Sequence, residues 1–206
     1  STNNILKFYC SEVDKILLKI WPKYKSIGLY ALGGYGRKEL FPEADLDILI
    51  VSKNKLTKNQ ESKIKKFLQT LWDYNFKVSQ RVLTLNQCHQ DSIMDQTFYT
   101  SLLESRFLYG KKFNLTSIKI RKVWGDQYLH IKISERNKRL QKKISTLEPD
   151  IKKTKGGLRD CHTINWLIKH FYYGKRDSYI VNQNIITIDE FKTLKKSGMY
   201  FSIKPV

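Results

Sequence analysis

Two aspartates interrupt a run of residues that otherwise suits only a protein core. Residues 45–51 read Asp-Leu-Asp-Ile-Leu-Ile-Val, apolar enough for a strand covered on both faces. Upstream, Leu29 to Leu32 is a second apolar run, and Gly33-Gly34 breaks it. The spacing predicts two strands joined by a glycine turn. Residues i and i+2 of a strand share a face, so Asp45 and Asp47 are expected side by side while Leu46 and Ile48 point into the core. Two carboxylates that close repel each other unless a cation lies between them, and a divalent metal ion is the usual solution.

Ten residues separate Gly34 from Asp45. Glycines let backbone N–H groups approach a triphosphate closely, and neighbouring carboxylates can hold metal ions that bridge its phosphates. Two such ions can activate an attacking hydroxyl and stabilise a leaving pyrophosphate. The chemistry expected of this pattern is nucleotidyl transfer. An isolated Asp-x-Asp on a surface strand is usually a pair of solvated acids, but here both interrupt a core run at a fixed distance from a double glycine.

The remaining chain supplies an α+β frame: a small mixed sheet with helices against one side, then a mainly helical segment. Helix spacing runs from Asn4 to Trp21 and from Lys58 to Tyr74, with strands at Ile27–Leu32, Asp45–Val51 and Phe76–Leu85 and a short helix within Tyr35–Phe41. Beyond Asn86 the strand signal fades. Helices are expected over Thr97–Tyr109, Leu115–Trp124, Tyr128–Leu147, Leu158–Tyr173 and Ile188–Lys196, with a break at Glu148-Pro149-Asp150. The expected division is an α/β core over 1–95 and a helical segment over 96–206.

A second candidate anion site is Lys155-Gly156-Gly157-Leu158-Arg159-Asp160. A glycine pair ahead of a helix can present N–H groups to a phosphate, with Lys155 and Arg159 adding charge. The competing reading is a helix start whose Arg159 and Asp160 fasten the helical part to the sheet. His162 and Trp166 on the same helix are expected to be structural.

The net charge of +19 suits a polyanionic partner. Only eight of the 38 basic residues are arginine, the residue that specific phosphate and base recognition favours. Most of the lysine is therefore expected to be solvated surface, with a nucleic-acid-binding module as the less favoured reading. The N-terminus lacks the features of a signal peptide and no apolar run approaches membrane-span length. Cys10, Cys88 and Cys161 have neither disulfide nor zinc spacing. A cytoplasmic protein with no membrane partner is expected.

GGYGRKELFPEADLDILIV resembles the signature of the polymerase-beta-like nucleotidyltransferases, and in detail that of the bifunctional PII uridylyltransferase/uridylyl-removing family of bacterial nitrogen signalling. Thr100–Gly110, Leu147–Ile151 and Gly156–Trp166 are similar to later segments of that family, in the same order. The resemblance implies transfer of UMP from UTP to a tyrosine hydroxyl of the PII signal protein, with two Mg²⁺ ions and release of pyrophosphate. Carried over by position, Gly33 and Gly34 cradle phosphates and Asp45 and Asp47 are the catalytic metal ligands. Arg37 either pairs with a phosphate oxygen or forms a salt bridge to Glu39, Glu43 or a strand aspartate.

Two departures accompany the resemblance. Residues 76–85 carry no Asp or Glu, although many members of the superfamily place a third carboxylate on that strand. Where the family pattern resembles GHSVRT, this chain has Ser79-Gln80-Arg81-Val82-Leu83-Thr84; Asp73, Asp91 or Asp95 are the candidates to supply an acid from elsewhere. A catalytically degenerate nucleotide- or partner-binding relative is the alternative this raises. The family's HD phosphohydrolase and ACT domains do not fit after Val206, so uridylyl removal and glutamine regulation are expected to be absent from this chain.

Overall fold

The computed structural model describes residues 2–141 and 150–172, together with 187, 189, 190 and 192. Contacts divide the chain into two units, the first reaching Ser117 and the second starting at Ile118.

The first unit is built on a four-stranded sheet in the order β3-β2-β1-β4. Its elements are α1 (Thr2–Ile20), β1 (Gly28–Ala31), α2 (Gly33–Gly36), β2 (Leu46–Ser52), α3 (Lys58–Asp73), β3 (Val78–Thr84), α4 (Leu85–Met94), α5 (Gln96–Leu103) and β4 (Arg106–Tyr109). β1 pairs antiparallel with both β2 and β4, whereas β2 and β3 are parallel. A parallel pair needs a crossover, and α3 provides it. Thr57 starts α3 with a capping box, its hydroxyl accepting from Gln60 N–H while Gln60 returns a bond to the Thr57 N–H.

β2 is buried along its length except at Asp47, which is part-exposed. Its alternate residues enter two cores. Leu46, Ile48 and Ile50 join Leu29 and Ala31 of β1, Val13 and Leu17 of α1, and Phe67 and Leu71 of α3. Leu49 and Val51 join Tyr30, Cys88 of α4, and Phe98 and Leu102 of α5. Helices therefore cover both faces of the sheet, not one as expected, because α4 and α5 fold back onto the second face.

The short helix is also placed differently from the expectation over Tyr35–Phe41. The glycines themselves form it, with Gly36 N–H donating to Leu32 O at 2.7 Å and Arg37 N–H to Gly33 O at 3.1 Å. Each glycine costs a helix about 1 kcal/mol relative to alanine, so this single turn is held by its surroundings. α4 was not expected, although Thr84 and Gln87 form a second capping box at its start. The helix expected over Thr97–Tyr109 stops at Leu103, and its second half is strand β4. Since β4 completes the sheet and α5 packs on its second face, the first unit extends to Ser117, beyond the expected boundary at 95/96.

The second unit contains α6 (Ile118–Trp124), α7 (Gln127–Gln141) and α8 (Leu158–Phe171). Lys132 is buried there, its ammonium 3.0 Å from Glu135 and lying over the rings of Tyr128 and Trp166. The expected end of the helix after Tyr128, the Glu148-Pro149 break and most of the helix from Ile188 to Lys196 lie outside the described residues. Among the described residues, no helix is long and apolar enough to cross a membrane.

Candidate active site

The register of β1 and β2 brings the glycine turn to the aspartates. Ala31 stands opposite Ile48, and Leu32 N–H donates to the Asp47 carbonyl at 2.9 Å. The chain thus leaves β1 alongside Asp47. Gly33 follows with φ +51, and a Cβ there would stand 2.6 Å from Asp47 Oδ2. Glycine is required both for the left-handed backbone and for the lack of space. At Gly34 the closest atom to such a Cβ would be Glu39 O at 3.4 Å, whereas at Gly36 it would be Glu104 O at 2.4 Å.

Asp45 lies one residue before β2 and is exposed. Burial pushes the pKa of Asp47 up and the charge of Asp45 adds to the rise, while a hydrogen bond from the Ser79 hydroxyl and the charge of Arg37 oppose it. Ser79 stands directly across from Asp47 in the parallel pairing of β2 with β3.

Arg37 is tied to two other carboxylates. Its Nε donates to Glu39 at 2.7 Å and its Nη1 to the buried Glu104 at 2.6 Å. Burial alone would lower its pKa, but Glu104 and Glu39 outweigh that and raise it. The expected salt bridge to Glu39 is present, and Glu104 is a partner that sequence reasoning missed. Glu43 instead faces Lys77 at 3.5 Å on the surface.

The acids considered as a third carboxylate have other partners in part. Arg81 lies on the same face of the sheet as Asp47, opposite Leu49. It pairs with Asp91 at 3.9 Å and Asp95 at 3.5 Å and stacks on the Phe98 ring. The second oxygen of Asp95 caps α5, accepting from Thr97 and Phe98 N–H. Asp73 is the last residue of α3.

The donor set suits a hard divalent cation. Asp45 and Asp47 offer carboxylate oxygens whose mutual repulsion a cation would relieve, and the nearby Arg37 is engaged by Glu39 and Glu104. Among the described residues no cluster of three or more His, Cys, Asp or Glu is placed to hold a metal ion. A magnesium ion here would take its remaining ligands from phosphate and water.

Lys155, Gly156, Gly157 and Arg159 belong to the second unit. Gly156 N–H donates to Asp160 Oδ2 at 2.8 Å, and the N–H groups of Gly157, Leu158 and Arg159 donate to Thr154, Ile151 and Lys152 carbonyls. These N–H groups are engaged, and the side chains of Lys155 and Arg159 carry the positive charge of this turn. The latter guanidinium lies over Trp166, itself buried. Asp160 binds Arg136 at 3.3 Å and also Arg139, so it fastens α8 to α7.

Comparison with known proteins assigns the chain to a family. A family model described as nucleotidyltransferase domain covers residues 10–106, and one described as GlnD PII-uridylyltransferase covers residues 127–201. A bifunctional uridylyltransferase/uridylyl-removing enzyme of Haemophilus influenzae is 35% identical over 93% of this chain. The chain belongs to the nucleotidyltransferase family, in its PII-uridylyltransferase branch. Enzymes of the same description from Hydrogenovibrio crunogenus and Vibrio parahaemolyticus are 33% and 38% identical over 98% and 78% of the chain. The chain spans 24%, 24% and 20% of these three relatives' own lengths.

At this candidate site, the residues that sequence reasoning overlooked are Ser79, Glu104 and Gly36. Gly36 was visible as the third glycine of Gly-Gly-Tyr-Gly, and Glu104 stands in the Thr100–Gly110 segment whose likeness to the family was noted without a role. Ser79 carried no signal beyond its place on the acid-free strand.

Proposed function

We propose that this chain is a Mg²⁺-dependent uridylyltransferase, acting in the cytoplasm on a tyrosine hydroxyl of the PII signal protein. The observation that supports it most is the glycine turn packed directly against Asp47, with Asp45 adjacent. A triphosphate laid on Gly33 and Gly34 would bring its charge beside the two carboxylates. Mg²⁺, two ions in this reading, would be held by Asp45 and Asp47, neutralising phosphate charge and activating the acceptor hydroxyl.

The reaction joins the tyrosine oxygen to the α-phosphorus of UTP and breaks the bond from that phosphorus to the oxygen bridging to the β-phosphate. Pyrophosphate leaves with the electron pair, and the hydroxyl proton passes to water. The chain's own residues act by positioning: Gly33 and Gly34 admit the phosphates, and Ser79 stands across the strand pairing from Asp47. Arg37 contributes positive charge close to Asp47 while held by Glu39 and Glu104. Lys155 and Arg159 are proposed as an anion contact of the second unit in its own right, with Gly156 and Gly157 as the turn that presents them.

Incubation with labelled UTP, Mg²⁺ and PII protein tests this reading. Label should appear on PII and be lost with Asp45→Asn or Asp47→Asn. No transfer by the unsubstituted chain, or equal transfer by both variants, overturns it. The acid-free strand β3 and the engagement of Asp91 and Asp95 by Arg81 favour a second reading, a relative that binds nucleotide without turnover. Saturable UTP binding with no product would select it.

A further inference from the structure

α2 is a single turn in which three of four residues are glycine, so its shape must be imposed from outside. The segment joining α5 to β4, residues 104–106, supplies the contacts. We propose that Glu104 and Arg106 are positioning residues that hold the glycine turn in its triphosphate-binding shape; this rests on the nucleotidyltransferase reading above.

Gly36 lies beneath the Glu104 carbonyl, which occupies the space of a Cβ. Its two chain neighbours are gripped by the same segment. On one side, the Glu104 carboxylate accepts from Arg37 Nη1 at 2.6 Å. On the other, Arg106 Nη2 donates to the Tyr35 carbonyl at 3.2 Å, and its guanidinium lies 5.1 Å from the centre of the Tyr35 ring. Arg106 also forks onto Asp14 of α1 at 2.7 and 3.0 Å, and the Tyr35 hydroxyl donates to the same aspartate at 2.5 Å. Tyr35 is fully buried, and burial followed by the charge of Asp14 pushes its pKa up, so it stays a neutral donor.

The turn is thus fixed on three consecutive residues, Tyr35, Gly36 and Arg37, immediately after Gly33, which packs against Asp47, and Gly34. Such pre-organisation lowers the ordering cost of binding. Arg37 acts within this clamp, with Nε and Nη1 directed at carboxylates.

Glu104→Gln and Arg106→Lys test the proposal in the full chain, the first removing the charge that holds Arg37 and the second the fork onto Asp14 and the Tyr35 carbonyl. Hydrogen exchange is followed at the amides of Gly36, Arg37 and Glu39, which bond within the turn region, and compared with exchange in β2. Binding is measured with Mg²⁺–UTP and with inorganic tripolyphosphate, which reads the phosphate cradle without a base. The expected result is about tenfold faster exchange in the turn alone and about tenfold weaker binding of both probes, with Glu104→Asp recovering part of each. Unchanged turn exchange, or faster exchange with unchanged binding of a probe the unsubstituted chain does bind, overturns the proposal. If the unsubstituted chain binds neither probe, the nucleotidyltransferase reading fails, and faster turn exchange alone then still supports the clamp while unchanged exchange overturns it. Should Glu104→Gln not fold, Arg106→Lys, which keeps the charge and loses the fork, decides by the same measurements.

Discussion

Asp47 Oδ2 fills the space of the side chain that Gly33 lacks, 2.6 Å from where a Cβ would stand. Three alanine substitutions should therefore separate fold from function. Gly33→Ala meets both that contact and φ +51, and should cost about 1–2 kcal/mol from the backbone alone while displacing the carboxylate. Gly36→Ala drives into the Glu104 carbonyl at 2.4 Å and the Ala31 carbonyl at 2.9 Å, and should cost about 1–3 kcal/mol or more. Gly34→Ala meets only ordinary contacts and should fold as stably as the parent, yet bind Mg²⁺–UTP more weakly. Denaturant melts beside nucleotide titrations check the series, and a Gly34→Ala protein with unaltered affinity would remove this glycine from the cradle.

The charge of Asp47 gives a prediction about stability and metal. Its pKa is raised in the folded state, first by burial and then by Asp45. The folded chain holds this proton more tightly than the unfolded chain, so stability is greatest below the unfolded pKa and declines as pH rises through the folded one. At neutral pH the ionised pair is a liability. Asp47→Asn should melt above the parent without metal, and it should lose the stabilisation by Mg²⁺, about 2.7 kcal/mol at a hundred times Kd. A thermal shift with Mg²⁺ as large in Asp47→Asn as in the parent contradicts this.

Asp95 links two elements, accepting from the Arg81 guanidinium at 3.5 Å and from the N–H groups of Thr97 and Phe98 at 2.8 and 3.1 Å. Asp95→Ala should lose about 1 kcal/mol, the usual worth of a helix cap, while Asp95→Asn keeps most of it. Arg81 and Asp95 are both half-exposed, so screening by salt should make the ion pair itself a small contributor. Urea titrations of the two variants at low and high salt measure the difference.

His170 predicts acid sensitivity of the second unit. It is buried, with Nε2 3.0 Å from the Gly125 carbonyl, and it packs on Tyr128 and Phe171. Burial lowers its pKa below the ordinary 6.5, opposed by the Gly125 carbonyl, with Arg121 lowering it further and Asp126 opposing. On acidification the unfolded chain takes the proton first, so this stabilisation is present above about pH 6.5 and is lost as pH falls toward and through the folded pKa. The slope should not exceed about 1.4 kcal/mol per pH unit, and His170→Gln should flatten it in melts of the parent and variant across pH 5 to 8.

What the sequence made legible follows from how local each signal is. β2 was visible because its apolar run is continuous, and Asp45 falls just outside it because pairing begins with Leu46 opposite Val78. β4 was hidden by Leu102, Leu103, Phe107 and Leu108, which continue a plausible helical spacing across the break at Glu104. α4 carried only the Thr84–Gln87 capping box, which periodicity does not read. The aspartates and glycines of the site were legible as a motif. The Arg37–Glu104 pair spans 67 positions, and the placing of Ser79 opposite Asp47 depends on strand register, so both required the fold.

The Glu104 carbonyl that fills the side-chain space of Gly36 bears on how diverging copies of this family can be read. Gly36 is held by packing whether or not nucleotides are ever bound, so a descendant that has abandoned catalysis remains under pressure to keep it. Gly34, whose surroundings would accept a methyl group, carries no such packing constraint. Packing alone therefore protects the third glycine and leaves the second to whatever it binds.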